Sequence, residues 1–434
     1  MMTLNLALRN LLRNRRRSLA TLLAMAIGST AILLFGGFSD NIKYEMHTRY
    51  VQRGGHLQIQ HRDFYLYGSG NPDAYAISNY AEILAAIRND PVLSSMLVVA
   101  TPTLQFGGIA GNYAASVSRT IVGTGLVATD INLMRRWNDF GLRSKAPASA
   151  LEGSAPDAAV VGTGLARVLQ LCDALKIDRC PQPELPQKHD GKTIPNDIAQ
   201  LSLQETPATA GTPASRPGRV EVLVANAKGA PNVTSVDVIR AEDQGIKELD
   251  EIALMMHLAK VQQLIYGHSP PKANSIMIQL RHSDQIPLAR ARLQTIVAGF
   301  SAVQPLAVLD FRQLNPFYVQ TTRMFDTIFG FVFILIGGIV LFTINNTMNT
   351  AVIERTVEIG TLRALGLRQA GIRRLFVTEG ALLGVCGALL GVVLALGLAA
   401  LVNQMDIPWV PPTTVEPVPL TILVWGETRM MLGT

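Results

Sequence analysis

The residues best suited to chemistry form a short charged segment in the C-terminal third of the chain. Glu354 and Glu358 stand four positions apart, so a helix would place both carboxylates on one face, where they repel by about 0.2–0.5 kcal/mol. Arg355 lies three positions before Glu358 and can offset part of this repulsion. The acidic face suits a basic surface on a partner. An ordinary membrane-proximal helix with solvated charges is the alternative, and spacing alone leaves the two open.

This charged segment has the pattern of a helix with a defined end. From Val352 to Leu365 the apolar positions recur at roughly helical spacing, without proline, and Gly366 then supplies a helix stop. Only two acids oppose five arginines, which are Arg355, Arg363, Arg368, Arg373 and Arg374. By the positive-inside rule, this excess of arginine places the short loop in the cytoplasm.

Charge-free apolar runs lie on both sides of the segment, over Thr327–Ile353 and Gly380–Met405. At about 1.5 Å of rise per residue, each is long enough to cross a hydrocarbon core of about 30 Å as a helix. We therefore expect transmembrane helices 2 and 3 over residues 324–350 and 375–405, joined by a cytoplasmic hinge over residues 351–374.

The first transmembrane helix is expected near the start of the chain. Residues 1–17 carry five arginines and no acid, with leucines along one face, as in an amphipathic helix on an anionic membrane surface. Residues 18–39 contain no charge and are too long for a signal peptide, and no small-residue cleavage site comes after them. We predict a retained helix that keeps the N-terminus in the cytoplasm and exports the next segment of the chain.

Residues 40–323 contain no further spanning run and predict a large external α+β domain. Two strand–helix–strand patterns bracket it, His56–His61, Tyr80–Asn89 and Met96–Phe106, then Ser275–Arg281, Gln285–Phe300 and Ala302–Phe311. They predict a split α+β sandwich closed by both ends of the segment. In the insertion between them we expect a strand over Arg219–Ala225, a helix over Lys247–Tyr266 and a proline-rich surface loop between Pro181 and Pro217.

Cys172 and Cys180 bracket a short loop in this external segment. An oxidising compartment favours a disulfide between them, which would contribute about 2–3 kcal/mol at that loop length. Two free thiols are the alternative. In the third apolar run, Gly380 and Gly384, and then Gly387 and Gly391, have the four-residue spacing that lets another helix approach closely.

Composition and motifs exclude several classes of function. The chain is 48% hydrophobic and only 16% charged, and its net charge of +6 comes largely from arginines that flank the apolar runs. It has no basic patch with interleaved aromatic residues, so we expect no nucleic acid partner. Gly191-Lys192-Thr193 lacks the first glycine of a phosphate-binding loop, and the seven histidines have no metal-ligand spacing. We expect no catalytic residue, metal or cofactor on this chain.

The hinge resembles a motif of one transporter family. Its string reads Glu354-Arg355-x-x-Glu358-Ile359-Gly360-x-Leu362-Arg363-Ala364-x-Gly366, preceded by Asn346 and Met348 and followed by a second apolar helix. It resembles the MacB/FtsX/LolC-type permeases of ABC transporters, in which this segment looks like the coupling helix that docks into a cytoplasmic ATPase. The resemblance implies that these hinge residues couple the chain to a cytoplasmic ABC ATPase, which would hold ATP and Mg.

The resemblance also implies the fold, an α-helical membrane protein with a large external (periplasmic) domain built of a porter-like lobe and an inserted second lobe. The family pattern has four transmembrane helices and only three are complete here. Residues 406–434 are expected to form an external tail in place of the fourth helix, because they contain Glu427 and Arg429 and no spanning run.

The function implied is that of a non-catalytic permease subunit in the cell inner membrane. ATP hydrolysis on a partner chain would move the external domain and so export, extract or release a substrate, which could be a lipoprotein, a lipid, a peptide or a hydrophobic drug. A second permease subunit (homo- or heterodimer), membrane lipid and a periplasmic protein are the further partners expected. Two alternatives stay open: a transmembrane signal transmitter that activates an external hydrolase, and a membrane-anchored sensor without an ATPase.

Overall fold

The computed structural model describes residues 15–68, 72–142, 146–177, 218–245, 247–300, 304–366, 368–409 and 418–423. The predicted proline-rich loop and most of the predicted surface helix over residues 1–17 lie outside these ranges. The helices are α1 Arg15–Gly54, α2 Phe64–Tyr67, α3 Tyr80–Arg88, α4 Leu93–Met96, α5 Ala128–Arg135, α6 Thr163–Val168, α7 Cys172–Leu175, α8 Lys247–Asp250, α9 Leu258–Tyr266, α10 Ile286–Ala298, α11 Phe311–Leu314, α12 Pro316–Glu354, α13 Thr356–Ala364 and α14 Gln369–Gln404. The strands are β1 Leu57–His61, β2 Leu97–Asn112, β3 Val117–Leu126, β4 Ala158–Gly162, β5 Arg219–Ala225, β6 Pro231–Glu242, β7 Ala253–His257, β8 Ser275–Leu280, β9 Leu306–Asp310, β10 Pro408–Trp409 and β11 Val418–Pro419.

Three of the described helices are long and apolar enough to cross a membrane: α1, α12 and α14. Helices α12 and α14 both pack against α1, so α1 lies between them. Near the predicted cytoplasmic end, Thr21 Oγ1 of α1 donates to Thr347 Oγ1 of α12 at 3.4 Å. At the opposite end, Lys43 of α1 forms an ion pair with Asp326 of α12 at 2.9 Å. The fold is therefore that of an α-helical membrane protein with a large α+β domain, as predicted.

A four-stranded antiparallel sheet in the order β2-β8-β1-β9 forms the lobe next to the membrane helices. Two strand–helix–strand units, β1-α3-β2 and β8-α10-β9, interleave in it, so β8 of the second unit lies between the two strands of the first. This arrangement confirms the split α+β lobe, and four of its six predicted elements agree within two residues, whereas strand β2 runs six residues past its predicted end at Phe106. In the described part of the extended segment expected over Ala302–Phe311, the strand runs from Leu306 to Asp310.

The inserted lobe is a closed six-stranded barrel. Its strands follow the order β2-β3-β7-β4-β6-β5, and β5 pairs back with β2. Strand β2 is 16 residues long because its first half belongs to the four-stranded sheet and its second half to the barrel. The barrel interior is filled by buried aliphatic side chains such as Val161, Val222 and Leu254. One continuous strand therefore joins the two lobes.

The predicted helix over Lys247–Tyr266 is wrong in its middle. Helix α8 ends at Asp250, strand β7 runs from Ala253 to His257, and helix α9 comes directly after it. Strand β7 alternates half-buried and fully buried side chains, with Leu254 and Met256 in the barrel interior, and it pairs with both β3 and β4. Five residues are too few for their alternation to outweigh the helical pattern on both sides.

Helix α1 is longer than its apolar run. It continues for 15 residues past Ser39 to Gly54, which is about 22 Å of helix beyond the predicted span. This extension enters the α+β domain, where Val51 is fully buried in the same core as Leu57 and Ile278. The first membrane helix is thus also a core element of the adjacent lobe.

Candidate functional site

The charged hinge contains a break in the helix at Arg355. Helix α12 ends at Glu354, and Arg355 has φ −99° and ψ 18°, outside the helical region. Its N–H still donates to the carbonyl of Ala351 at 3.2 Å, and its own carbonyl accepts from Ile359 at 2.9 Å. The single helix expected over Val352–Leu365 is therefore divided, and Thr356–Ala364 forms a separate helix, called the hinge helix from here on.

The hinge helix ends at the predicted glycine. Gly366 has φ +92°, a left-handed conformation that strongly favours glycine, and its N–H donates to the carbonyl of Arg363 at 3.0 Å. Arg368 then precedes helix α14 in an extended conformation. The hinge helix is thus a discrete two-turn element with a defined start and end.

Most of the hinge residues whose side chains are described are exposed. Val357 is 82% and Leu365 81% exposed, and Glu354, Gly360 and Arg363 are exposed as well, while Ile359 is partly buried. The side chains of Glu358 and Leu362 lie outside the described residues, so the shared acidic face stays a prediction. Large apolar side chains beside exposed charges form an amphipathic surface that the described part of the chain leaves uncovered.

Arg355 points away from that surface. Its Nη1 lies 3.1 Å from Oε1 of Glu379 in helix α14, and the side chains are only 13% and 4% exposed. The sequence instead suggested an interaction of Arg355 with Glu358. Sequence reasoning missed Glu379 because it lies just before the charge-free run. The sequence did contain a signal for this pair: Glu379 is the single acid in α14 and lies directly beside an apolar run, where an acid usually has a basic partner.

The four glycines of α14 do not share one environment. A Cβ at Gly387 would lie 2.6 Å from Cβ of Met25, and one at Gly391 would lie 2.6 Å from Cβ of Ser29, so both glycines contact helix α1 of the same chain. Thr30 Oγ1 also donates to the carbonyl of Gly391 at 3.0 Å. In contrast, a Cβ at Gly380 would make an ordinary 3.5 Å contact with Met348, and none of the described atoms lies within 4 Å of one at Gly384.

A polar and aromatic cluster joins the membrane helices to the α+β domain. The Nε2 atom of His47 in α1 lies 3.0 Å from Oγ of Ser283, and its Nδ1 lies 3.3 Å from the hydroxyl of Tyr318 in α12. His56 reaches the same Ser283 hydroxyl at 3.2 Å and accepts the N–H of Leu280 at 3.0 Å. The cluster therefore links α1 and α12 by direct contacts to the lobe that contains the four-stranded sheet.

The two histidines of this cluster make stability depend on pH. Burial lowers the pKa of His56 to about 3 and that of His47 to about 4. A histidine with a lowered pKa stabilises the fold fully above its ordinary pKa of about 6.5, and this contribution is lost as the pH falls towards the folded value. We expect the free energy of unfolding to fall by up to about 1.4 kcal/mol per pH unit for each histidine below pH 6.5.

The measurement is the melting temperature of the detergent-solubilised chain between pH 7.5 and 5. In His56→Asn, the side-chain oxygen can still accept the Leu280 N–H but does not titrate in this range, so the decrease in melting temperature should be smaller. His268→Asn, at an exposed histidine, is the control and should behave as wild type. Equal slopes in all three proteins would contradict the assignment to His56.

The predicted disulfide lies outside the hinge, in the α+β domain. Cys172 is 8% exposed at the start of α7, but Cys180 lies outside the described residues, so the pairing stays a prediction. Among the described side chains, no group of three or more His, Cys, Asp or Glu residues could hold a metal ion.

Comparisons with known proteins give one family match, several relatives and similar solved structures. Residues 327–428 match the family described as FtsX-like permease C-terminal. The ABC transporter permease YtrF of Bacillus subtilis is 40% identical over 74 residues, which are 17% of this chain and 16% of YtrF. The macrolide export ATP-binding/permease protein MacB of Bdellovibrio bacteriovorus is 29% identical over 141 residues, 30% of this chain and 21% of that protein. The pyoverdine export ATP-binding/permease protein PvdT of Pseudomonas savastanoi is 51% identical over 67 residues, 15% and 10% of the two chains.

The matches thus span about a fifth or less of the length of these three relatives. Two solved structures also match at 12% identity. The extracellular domain of the ABC-type transporter YknZ from Gram-positive bacteria matches with a TM-score of 0.30, over 58% of this chain and 99% of that domain. The periplasmic region of MacB from Actinobacillus actinomycetemcomitans matches with a TM-score of 0.32, over 60% and 90%.

Proposed function

We propose that this chain is an ABC transporter permease of the MacB/FtsX type that transmits force from a cytoplasmic ATPase to its α+β domain. In this proposal the ATPase is a separate chain that binds ATP and Mg and docks on the hinge helix. The moving domain then exports, extracts or releases a substrate on the outer side of the membrane. A lipoprotein, a lipid, a peptide and a hydrophobic drug are the substrate classes that such a domain would serve.

The observation that carries this proposal is the exposed hinge helix between two spanning helices. It presents Val357 and Leu365 at more than 80% exposure, together with exposed charges at Glu354 and Arg363. A docking protein would cover the apolar side chains and pair with the charges, which combines the two sources of affinity in protein interfaces. The neighbouring arginines favour the cytoplasmic side of the inner membrane for this loop and for the N-terminus.

The path from the hinge to the α+β domain is a single helix. Helix α12 runs without interruption from Pro316 to Glu354, about 58 Å at 1.5 Å per residue. Its cytoplasmic end adjoins the hinge helix, and its outer end carries Tyr318, which is buried against His47 and Phe311 in the core of the four-stranded lobe. A displacement at the hinge would therefore move the domain without a channel through the membrane.

The proposal is tested by co-purification from detergent-solubilised membranes of the source organism, with bound proteins identified by mass spectrometry. The wild-type chain is expected to retain an ATPase with a phosphate-binding loop, and a Glu354→Lys/Glu358→Lys variant is expected to lose it at least tenfold. A Glu82→Lys/Glu248→Lys variant makes the same change of charge at two exposed acids of the α+β domain and should retain the ATPase.

An ATPase that is absent from the wild-type sample would overturn the proposal and favour a membrane-anchored sensor. An ATPase retained by the Glu354→Lys/Glu358→Lys variant would show that docking does not use the acidic residues of the hinge.

A further inference from the structure

We infer that Glu379 is a positioning residue that fixes the start of the hinge helix to helix α14 through Arg355. The inference deepens the proposed function and rests on it, because it describes how a docked ATPase would move two membrane helices together. It is based on the place of the ion pair, its burial and the break in the helix at Arg355.

The ion pair lies at the junction of two helices. Arg355 is the residue at which helix α12 stops and the hinge helix begins, so its side chain moves with the junction between them. Glu379 lies ten residues into α14, on the far side of the hinge. The pair therefore links the start of the hinge helix to helix α14, at 3.1 Å between Nη1 and Oε1.

The ion pair is also buried. Glu379 is 3% exposed overall, and the Arg355 side chain is 13% exposed, whereas most other described hinge side chains are open to solvent. Breaking a buried ion pair is strongly destabilising, which opposes movement of the Arg355 guanidinium away from Glu379. The orientation of Arg355 is therefore constrained far more than that of an exposed hinge residue such as Arg363.

Helix packing around the pair supports the same link. Helices α12 and α14 both pack on α1, and they also approach each other near the hinge, where Met348 lies 3.5 Å from the position that a Cβ at Gly380 would occupy. Gly380 directly follows Glu379 in the chain. The ion pair and this contact together join α12 to α14 beside the hinge helix, so a force on the hinge acts on both helices.

The test measures amide hydrogen exchange of the hinge in the full-length chain. In Glu379→Gln, which keeps the shape of the side chain and removes its charge, exchange of the amides of residues 356–364 is expected to rise at least tenfold. Exchange in the α+β domain should stay within twofold of wild type, because a general loss of folding would raise exchange there too. Asp406→Asn, at an exposed acid beyond the other end of α14, should leave hinge exchange unchanged.

A variant with the two charges exchanged tests whether the ion pair itself, and not a local packing defect at residue 379, protects the hinge. The charge-swapped variant Arg355→Glu/Glu379→Arg is expected to return hinge exchange to within threefold of wild type. Unchanged exchange in Glu379→Gln, or a swapped variant as fast as the single variant, would overturn the inference. If the wild-type chain retains no ATPase, the proposed function fails, whereas the exchange measurement on the chain alone still decides the role of Glu379.

Discussion

Replacing Phe311 by alanine is expected to lower the free energy of unfolding of the α+β domain by about 3–5 kcal/mol, the usual range for a fully buried phenylalanine. Phe311 is 1% exposed and is among the largest fully buried side chains of the described residues. For a domain of this size, such a loss corresponds to a decrease in melting temperature of about 10 °C.

The cost is large because Phe311 occupies the junction between the domain and helix α12. Its ring lies 4.7 Å from the His47 ring and 5.4 Å from the Tyr318 ring, between centroids, and so contacts both α1 and α12. Its N–H donates to the carbonyl of His56 at 3.0 Å. Alanine would keep this hydrogen bond and leave a cavity among the aromatic rings.

The measurement is thermal unfolding of the full-length chain in detergent, with Phe317→Ala as the matched control. Phe317 is the same residue type six positions later, but 48% of it is exposed, so its loss should change the melting temperature by less than about 2 °C. Equal decreases for the two variants would contradict the place of Phe311 in the core.

Local patterns in the sequence were sufficient to predict the elements that rest on local physics. The charge-free runs around Ile334 and Leu394 predicted membrane helices because length and polarity alone decide whether a helix can span. The sequence of β1 alternates apolar and polar residues, and that of α3 repeats apolar residues at helical spacing. The bounds of both elements were therefore predicted within one residue. Gly366 was predicted as a helix stop because a left-handed residue strongly favours glycine.

Features made by contacts distant in sequence could not be predicted in this way. Closure of the barrel depends on β5 pairing back to β2, and β7 forms a strand because β3 and β4 supply its hydrogen bonds. The partner of Arg355 could not be predicted for the same reason. The i, i+3 spacing pointed to Glu358 as the partner of Arg355 within one helix. Instead, the helix is interrupted at Arg355, and helix α14 places Glu379 beside the Arg355 guanidinium.

Substitution of the glycines of α14 by alanine is expected to have the second large effect on stability. It should destabilise the protein at Gly387 and Gly391 but not at Gly384. Alanine at Gly391 places its Cβ 2.6 Å from Cβ of Ser29 and 2.8 Å from the carbonyl of Ala26, neither of which is the flexible end of a side chain. Alanine at Gly387 places its Cβ 2.6 Å from Cβ of Met25. Overpacking of this kind costs about 1–3 kcal/mol per site, because the helices must separate to admit the methyl group.

Gly384→Ala is the matched control, because no described atom lies within 4 Å of the added Cβ. All three substitutions gain the same helix propensity, so the difference between them reports the contact with α1 alone. In detergent, the Gly387→Ala/Gly391→Ala variant is expected to melt several degrees below wild type, and Gly384→Ala at or slightly above it. If Gly384→Ala were as destabilising as Gly391→Ala, Gly384 would also lie in a tight interface, and a second permease subunit would be the partner to test there.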